Sequence, residues 1–180
     1  MSAATSVRER LASGPPRGLG CANAIVVEAN HSPEVLAELV AAAQDKRAVV
    51  TIRAANALKK VQQERPDLLV PFTKKILRAA LECEELRTRW NLTRVVGQLP
   101  LRGRDRALGI ELMFEALRSE SGFLRTFAMQ GLVDFSADDE ALRLRVRPIV
   151  EEFAENGTAS MRARARKLLP LVRQNSKPSR

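Results

Sequence analysis

AVVTIRAANALKKVQQER, residues 48–65, is the stretch from which the fold can be read. Val50, Ala54, Ala57, Leu58 and Val61 recur at i, i+4, i+7, i+8 and i+11, the spacing of one helical face. Arg53, Asn56, Lys59, Lys60 and Gln63 fall on the other. The same arrangement then returns along the chain. An apolar residue, a leucine eight places on and an apolar residue three further occur as Val50, Leu58 and Val61, as Leu124, Leu132 and Phe135, and as Met161, Leu169 and Val172; a weaker copy keeps Leu92 and Val95. The leucines at 58, 92, 132 and 169 are 34, 40 and 37 residues apart, which is the period of a helix-pair repeat and too long for a heptad or a hairpin. The expected fold is all-α, a short right-handed α-solenoid of about four helix pairs behind an N-terminal capping helix. Leu58, Val61, Leu92, Val95, Leu132, Phe135, Leu169 and Val172 are its expected core positions.

Composition agrees with a globular chain, since 45% hydrophobic residues against 28% charged is enough to build a core. No stretch approaches the roughly 18 uncharged apolar residues of a membrane span, and the first residues hold no apolar run of the kind a secretory signal needs. A cytoplasmic, non-membrane protein is therefore expected. Cys21 and Cys83 have neither a CxxC partner nor a nearby histidine, so they read as free thiols and not as metal ligands. The net charge of +9 is uneven: from Thr158 onward there are seven basic residues (Arg162, Arg164, Arg166, Lys167, Arg173, Lys177 and Arg180) and no acid, so this end carries +7 of the +9. A cationic end suits a phosphate-rich partner, and it equally suits the solvated outer face of a last helix.

Taken in order, residues 1–19 contain Gly14, Pro15, Pro16 and Gly18 without usable periodicity, and are expected to be disordered or loosely packed. Residues 20–174 are the expected repeat domain, and 175–180 a disordered basic tail. Residues 20–30 read as a capping helix. Ser32 followed by Pro33 is an N-cap with proline at the first helical position, and it opens the first helix of repeat one. The helix at 46–65 is its partner, stopped by Pro66. A helix starting at Pro66 is expected to turn Leu68, Leu69, Phe72, Ile76 and Leu77 inward, and one over 84–99 to bury Leu86, Leu92, Val95, Val96 and Leu99. Helices at 104–118 and 123–135 follow. Asp138 or Asp139 caps a helix to 155, Asn156 and Gly157 suggest a left-handed C-terminal turn, and a last helix covers 158–173.

IRAANALKKV (52–61), LRTRWNL (86–92), FLRTFAMQGLVDF (123–135) and SMRARARKLL (160–169) resemble the inner helices of HEAT repeats, and their order is similar to that in short single-domain bacterial HEAT-repeat proteins of unassigned function. The resemblance covers about 20–174 and departs from the pattern at Glu84, where an aliphatic residue is expected. It implies a non-catalytic scaffold of the HEAT and armadillo-like type that binds another macromolecule along its repeated second helices. It fixes no partner, because solenoids of this type lend one fold to many binding roles.

If those helices stack, equal repeat positions bring Arg53, Arg87, Phe127 and Arg164 into one column, and Ala55, Arg89, Met129 and Arg166 into the next. With Lys59, Lys60 and Arg94, such arginines suit an anionic partner: an acidic protein face first, a nucleic-acid backbone second, the latter through the basic C-terminal helix. Arginine also suits carbonyls of inter-repeat turns or pairing with Glu84, Glu85 and Asp134. Trp90, the single tryptophan, sits among Arg87, Arg89 and Arg94 either as an interface anchor or as a wedge between repeats. Some HEAT-like proteins are DNA repair glycosylases, but their aromatic cradle is hard to assemble from no Tyr, one Trp and six Phe. His31 is the sole histidine, so no Ser-His-Asp or Cys-His set is available, and no glycine-rich phosphate loop or HExxH motif occurs. No catalytic residue, metal or cofactor is expected.

Overall fold

The computed structural model describes residues 5–15 and 18–173. Among them the chain forms ten α-helices, one 3-10 helix and no strand. In order these are α1 (Val7–Ala12), α2 (Ala22–Ala29), α3 (Pro33–Ala42), α4 (Ala48–Glu64), the 3-10 helix Pro66–Phe72, α5 (Thr73–Glu82), α6 (Leu86–Val96), α7 (Gly103–Leu117), α8 (Gly122–Phe135), α9 (Glu140–Asn156) and α10 (Ala159–Arg173). The chain divides into two compact units, Met1–Leu101 and Arg102–Arg180. No described helix is long and apolar enough to cross a membrane.

In the first unit α4 is the hub, packed against α1, α2, α3, α6 and the 3-10 helix. That position explains its composition. Val50, Ala54, Ala55, Ala57, Leu58 and Val61 are all fully buried, and the small residues let neighbouring helices approach from several sides. Leu92 and Val95 of α6 are buried beside it, and a hydrogen bond of 3.0 Å between the hydroxyls of Thr51 and Thr88 ties the two helices. Local capping sets the starts. Ser32 Oγ accepts from Val35 N with Pro33 in the first turn, and Glu85 accepts from the Arg87 and Thr88 amides. Leu86, expected inside, is instead 46% exposed; Glu85 caps the helix one residue earlier, and Thr88 takes the inward place. The segment from Pro66 is 3-10 and not α, because Pro71 lacks the N–H that an α turn would use; the α-helix resumes only at Thr73.

Described residues 5–15 are more ordered than the loose packing expected of them. They carry α1, whose Val7 and Leu11 are buried and whose start is capped by Ser6 Oγ accepting from Glu9 N. Arg10 makes a two-pronged ion pair to Glu28 at 2.7 and 2.6 Å, and Glu38 accepts from the Val7 amide. Residues 1–4, 16 and 17 lie outside the described residues, as do 174–180, which include the expected tail with Lys177 and Arg180.

In the second unit α8 packs against α7, α9 and α10. Ser121 Oγ accepts from Leu124 N and Asp139 Oδ1 from Leu142 N, so Asp139 and not Asp138 is the cap of α9. Leu132 is fully buried and Val172 is 3% exposed. Two expected core positions are only half-buried. Leu169 yields to Leu168, because Met161, Ala165, Leu168 and Val172 form the inward i, i+4, i+7, i+11 stripe of α10. Phe135, the last residue of α8, lies off an inward face that runs Met129, Leu132, Val133 and Ser136. Gly157 is extended (φ −69°, ψ 169°) and not left-handed. What it supplies is room: a Cβ there would stand 2.5 Å from Phe153 O and 2.8 Å from Met161 Cβ.

Candidate functional site

The expected arginine column leaves the surface at its first member. Arg53 is fully buried. Its Nε donates to Gly18 O at 3.2 Å, Nη1 to Leu11 O and Ser13 O at 2.6 Å each, and Nη2 to Pro15 O at 2.5 Å. It is the clasp of the N-terminal segment and not a surface residue for a partner. Its expected companions Arg87 and Arg164 are exposed and Phe127 is half-buried; in the next column Ala55 and Met129 are buried, Arg89 is half-buried and Arg166 is exposed. Equal repeat positions therefore differ in burial, and at Arg53 the reason is that Leu11, Ser13, Pro15 and Gly18 close over its guanidinium.

The first unit does bring together another set of cations. Asn56, Lys59 and Lys60 lie at i, i+3 and i+4 on α4, half-buried, and Arg94 of α6, also half-buried, approaches Lys59. Burial first, then the charges of Arg94 and Lys60, hold the Lys59 ammonium below the usual lysine range. Lys60 Nζ donates to Asn23 Oδ1 of α2, and among the described residues no carboxylate pairs with Lys59 or Lys60. The Asn56 Oδ1 atom is buried without a hydrogen-bond partner. Trp90, half-buried, stands one helical turn before Arg94, and Arg87 is exposed at the start of the same helix. In the second unit Arg162 donates to Gly157 O and Arg164 to Gln130 Oε1 of α8, while Arg166 and Lys167 are exposed.

A cavity of about 360 Å³, lined by Asp45, Lys46, Thr51, Glu82, Cys83 and Glu85 among others, was not foreseen from the sequence, because its lining comes from the ends of α3, α4, α5 and α6. Most of its carboxylates are already engaged. Asp45 takes two hydrogen bonds from the Arg47 side chain and lies 3.9 Å from Arg8, Glu82 accepts from Gln44 and Arg78, and Glu85 caps α6. Burial pushes the Cys83 thiol up, away from the thiolate a nucleophile needs. Among the described residues no three His, Cys, Asp or Glu side chains converge as a metal site requires.

Hydrogen bonding from Arg47 holds the Asp45 carboxyl down at about 2, from an ordinary 3.8. A depressed carboxyl stabilises the fold above its unfolded pKa and loses that contribution as pH falls through the folded one. Asp45→Asn is accordingly expected to lose about 1–2 kcal/mol at neutral pH. The difference from wild type should shrink between about pH 4 and pH 2, as urea denaturation at several pH values will read.

No protein-family model matches the chain, and no curated protein matches it. Among solved structures it is similar to a crystal structure of an engineered protein from the Northeast Structural Genomics Consortium, with a TM-score of 0.63 and 13% identity over 92% of this chain and 77% of that one. At that identity the likeness is one of fold alone.

Proposed function

We propose that the chain is a non-catalytic binding module, a cytoplasmic scaffold or adaptor built as a short solenoid of HEAT-like helix pairs, which docks an acidic segment of a protein partner on the cationic face of α4 and α6. The observation that carries this reading is the crowding of Lys59, Lys60 and Arg94 without a carboxylate on either lysine. Like charges held together in a half-buried setting disfavour the fold, and an acidic partner relieves them. Trp90, one helical turn before Arg94, is the apolar anchor such a face needs, with Arg87 and Arg89 on the same helix as its polar neighbours.

A second reading, a nucleic-acid backbone binder, is favoured by the exposed Arg166 and Lys167 on α10. Salt separates the two. In the first, capture of an acidic protein partner weakens by about 2 kcal/mol or more with Trp90→Ala and falls with Lys59→Gln plus Arg94→Gln, with a shallower salt slope than a phosphate backbone gives. In the second, binding of duplex DNA falls steeply with salt, and glutamine at positions 162, 164, 166 and 167 flattens the slope. Tight DNA binding at about 0.15 M salt that ignores Trp90→Ala would reverse the ranking.

A further inference from the structure

The 3.0 Å bond between the hydroxyls of Thr51 and Thr88 fixes the register of α4 against α6. Lys59 lies eight residues beyond Thr51 and Arg94 six beyond Thr88, rises of about 12 and 9 Å. Running parallel, the helices bring Lys59 and Arg94 level to within about 3 Å along the axis. Running antiparallel, they would hold the two about 20 Å apart, a distance at which salt screens one charge from the other. The Arg94 charge does act on the Lys59 ammonium, so the pairing is parallel. Lys60, the next residue, is the second charge acting there, and Asn23 of α2 accepts from its Nζ. Three cations from two helices thus crowd one half-buried point, and among the described residues no carboxylate pairs with either lysine.

We propose that Lys59, Lys60 and Arg94 form a receptor for a phosphorylated side chain on the acidic segment of the protein partner, so that docking follows the partner's phosphorylation. The proposal rests on the reading of this face as an acidic-partner site. A carboxylate brings one charge and two oxygens, which leaves most of the crowded charge unmet. A second acidic residue facing the same way on an extended segment stands about 6.5–7 Å further along, too far to share the point. A phosphoryl group carries about −1.5 to −2 at pH 7 and three strong acceptor oxygens on one centre. Arg94 offers it a planar fork and the lysines two point charges, a donor set suited to phosphate. Trp90, one helical turn before Arg94, favours a peptide over a free phosphate ion, because only a peptide brings a neighbouring side chain to lie against the indole.

The full chain is titrated with two rhodamine-labelled peptides of one glycine and alanine frame, read by fluorescence anisotropy. One carries a central phosphoserine, the other two glutamates in alternate positions that match its charge. The expected result is that the phosphopeptide binds at least about tenfold tighter than the two-glutamate peptide, with that gain lost in Lys59→Gln and in Arg94→Gln and kept in Lys59→Arg. Lys60→Gln replaces Lys59→Gln if the latter lowers helix content by circular dichroism. Equal binding of the two peptides, or a gain that survives either glutamine substitution, overturns the phosphoryl proposal and leaves the acidic-partner reading standing. If neither peptide binds, both fail. Inorganic phosphate and phosphoinositide-containing vesicles serve as competitors, each expected to displace the phosphopeptide only at phosphate concentrations at least about tenfold above its own. Displacement at equal concentration by the ion, or by the vesicles, would make the ligand a free phosphate or a lipid surface, and either result overturns the proposal.

Discussion

Arg53→Met is expected to lower stability by about 3–5 kcal/mol, with the loss centred on the N-terminal segment. The variant leaves the carbonyls of Leu11, Ser13, Pro15 and Gly18 without its donors, two of them previously met at 2.6 Å by a single nitrogen. Each buried acceptor so abandoned costs about 1–3 kcal/mol, and removal of the buried charge returns part of that. The N-terminal segment also has an escape: α1 can lift, regain water at the freed carbonyls and give up instead the burial of Val7 and Leu11, roughly 1.5–3 kcal/mol each. Two routes with losses of similar size cap the total near the stated range. Urea denaturation reads that total, and hydrogen exchange distinguishes the routes, since lifting exposes the α1 amides while those of α4 remain at the global level. Arg53→Lys should recover little, because an ammonium presents three donors from one point and cannot reach carbonyls arranged around a planar fork. A loss below about 1 kcal/mol with α1 still protected would mean that the clasp is not what holds the segment.

How much of this was legible in the sequence follows from how local each signal is. Ser32 before Pro33, Ser121 and Asp139 mark helix starts through bonds to amides three residues away, and those starts were read within a residue or two. The α4 face was legible because a long helix repeats its pattern. Arg53 was not, because on a helical wheel it falls among Asn56, Lys60 and Gln63, and its burial depends on a segment some 40 residues earlier. That segment did carry a signal. Ser6-x-x-Glu9 is a capping-box spacing, and Val7 and Leu11 are one turn apart, but the glycines and prolines after them dominated the reading. The cationic cluster was half legible: Lys59, Lys60 and Arg94 were named, yet the contribution of Asn23 and the orphaned oxygen of Asn56 depend on which helix packs where.

Leu132→Ala is expected to cost about 2–5 kcal/mol, and Leu169→Ala less than about 1 kcal/mol, although the repeat spacing makes them equivalents. Leu132 is fully buried in α8, a helix packed against α7, α9 and α10, so truncation leaves a cavity that water does not reach. Leu169 is half-buried, while its neighbour Leu168 is 4% exposed. Two adjacent leucines are 100° apart on the helix, so only one can occupy the centre of an inward stripe. A count of eight from Met161 selects Leu169, but the i, i+4, i+7, i+11 phase through Ala165 and Val172 selects Leu168. Leu168→Ala should therefore resemble Leu132→Ala and not Leu169→Ala in its urea midpoint, with similar m-values throughout. A Leu169→Ala loss equal to that of Leu132→Ala would put α10 back in the phase of the repeat. The direction of this comparison matters for the nucleic-acid reading as well, because Arg162 and Arg166 flank the inward stripe of the same helix, and a rotation of one residue would carry them to a different side of it.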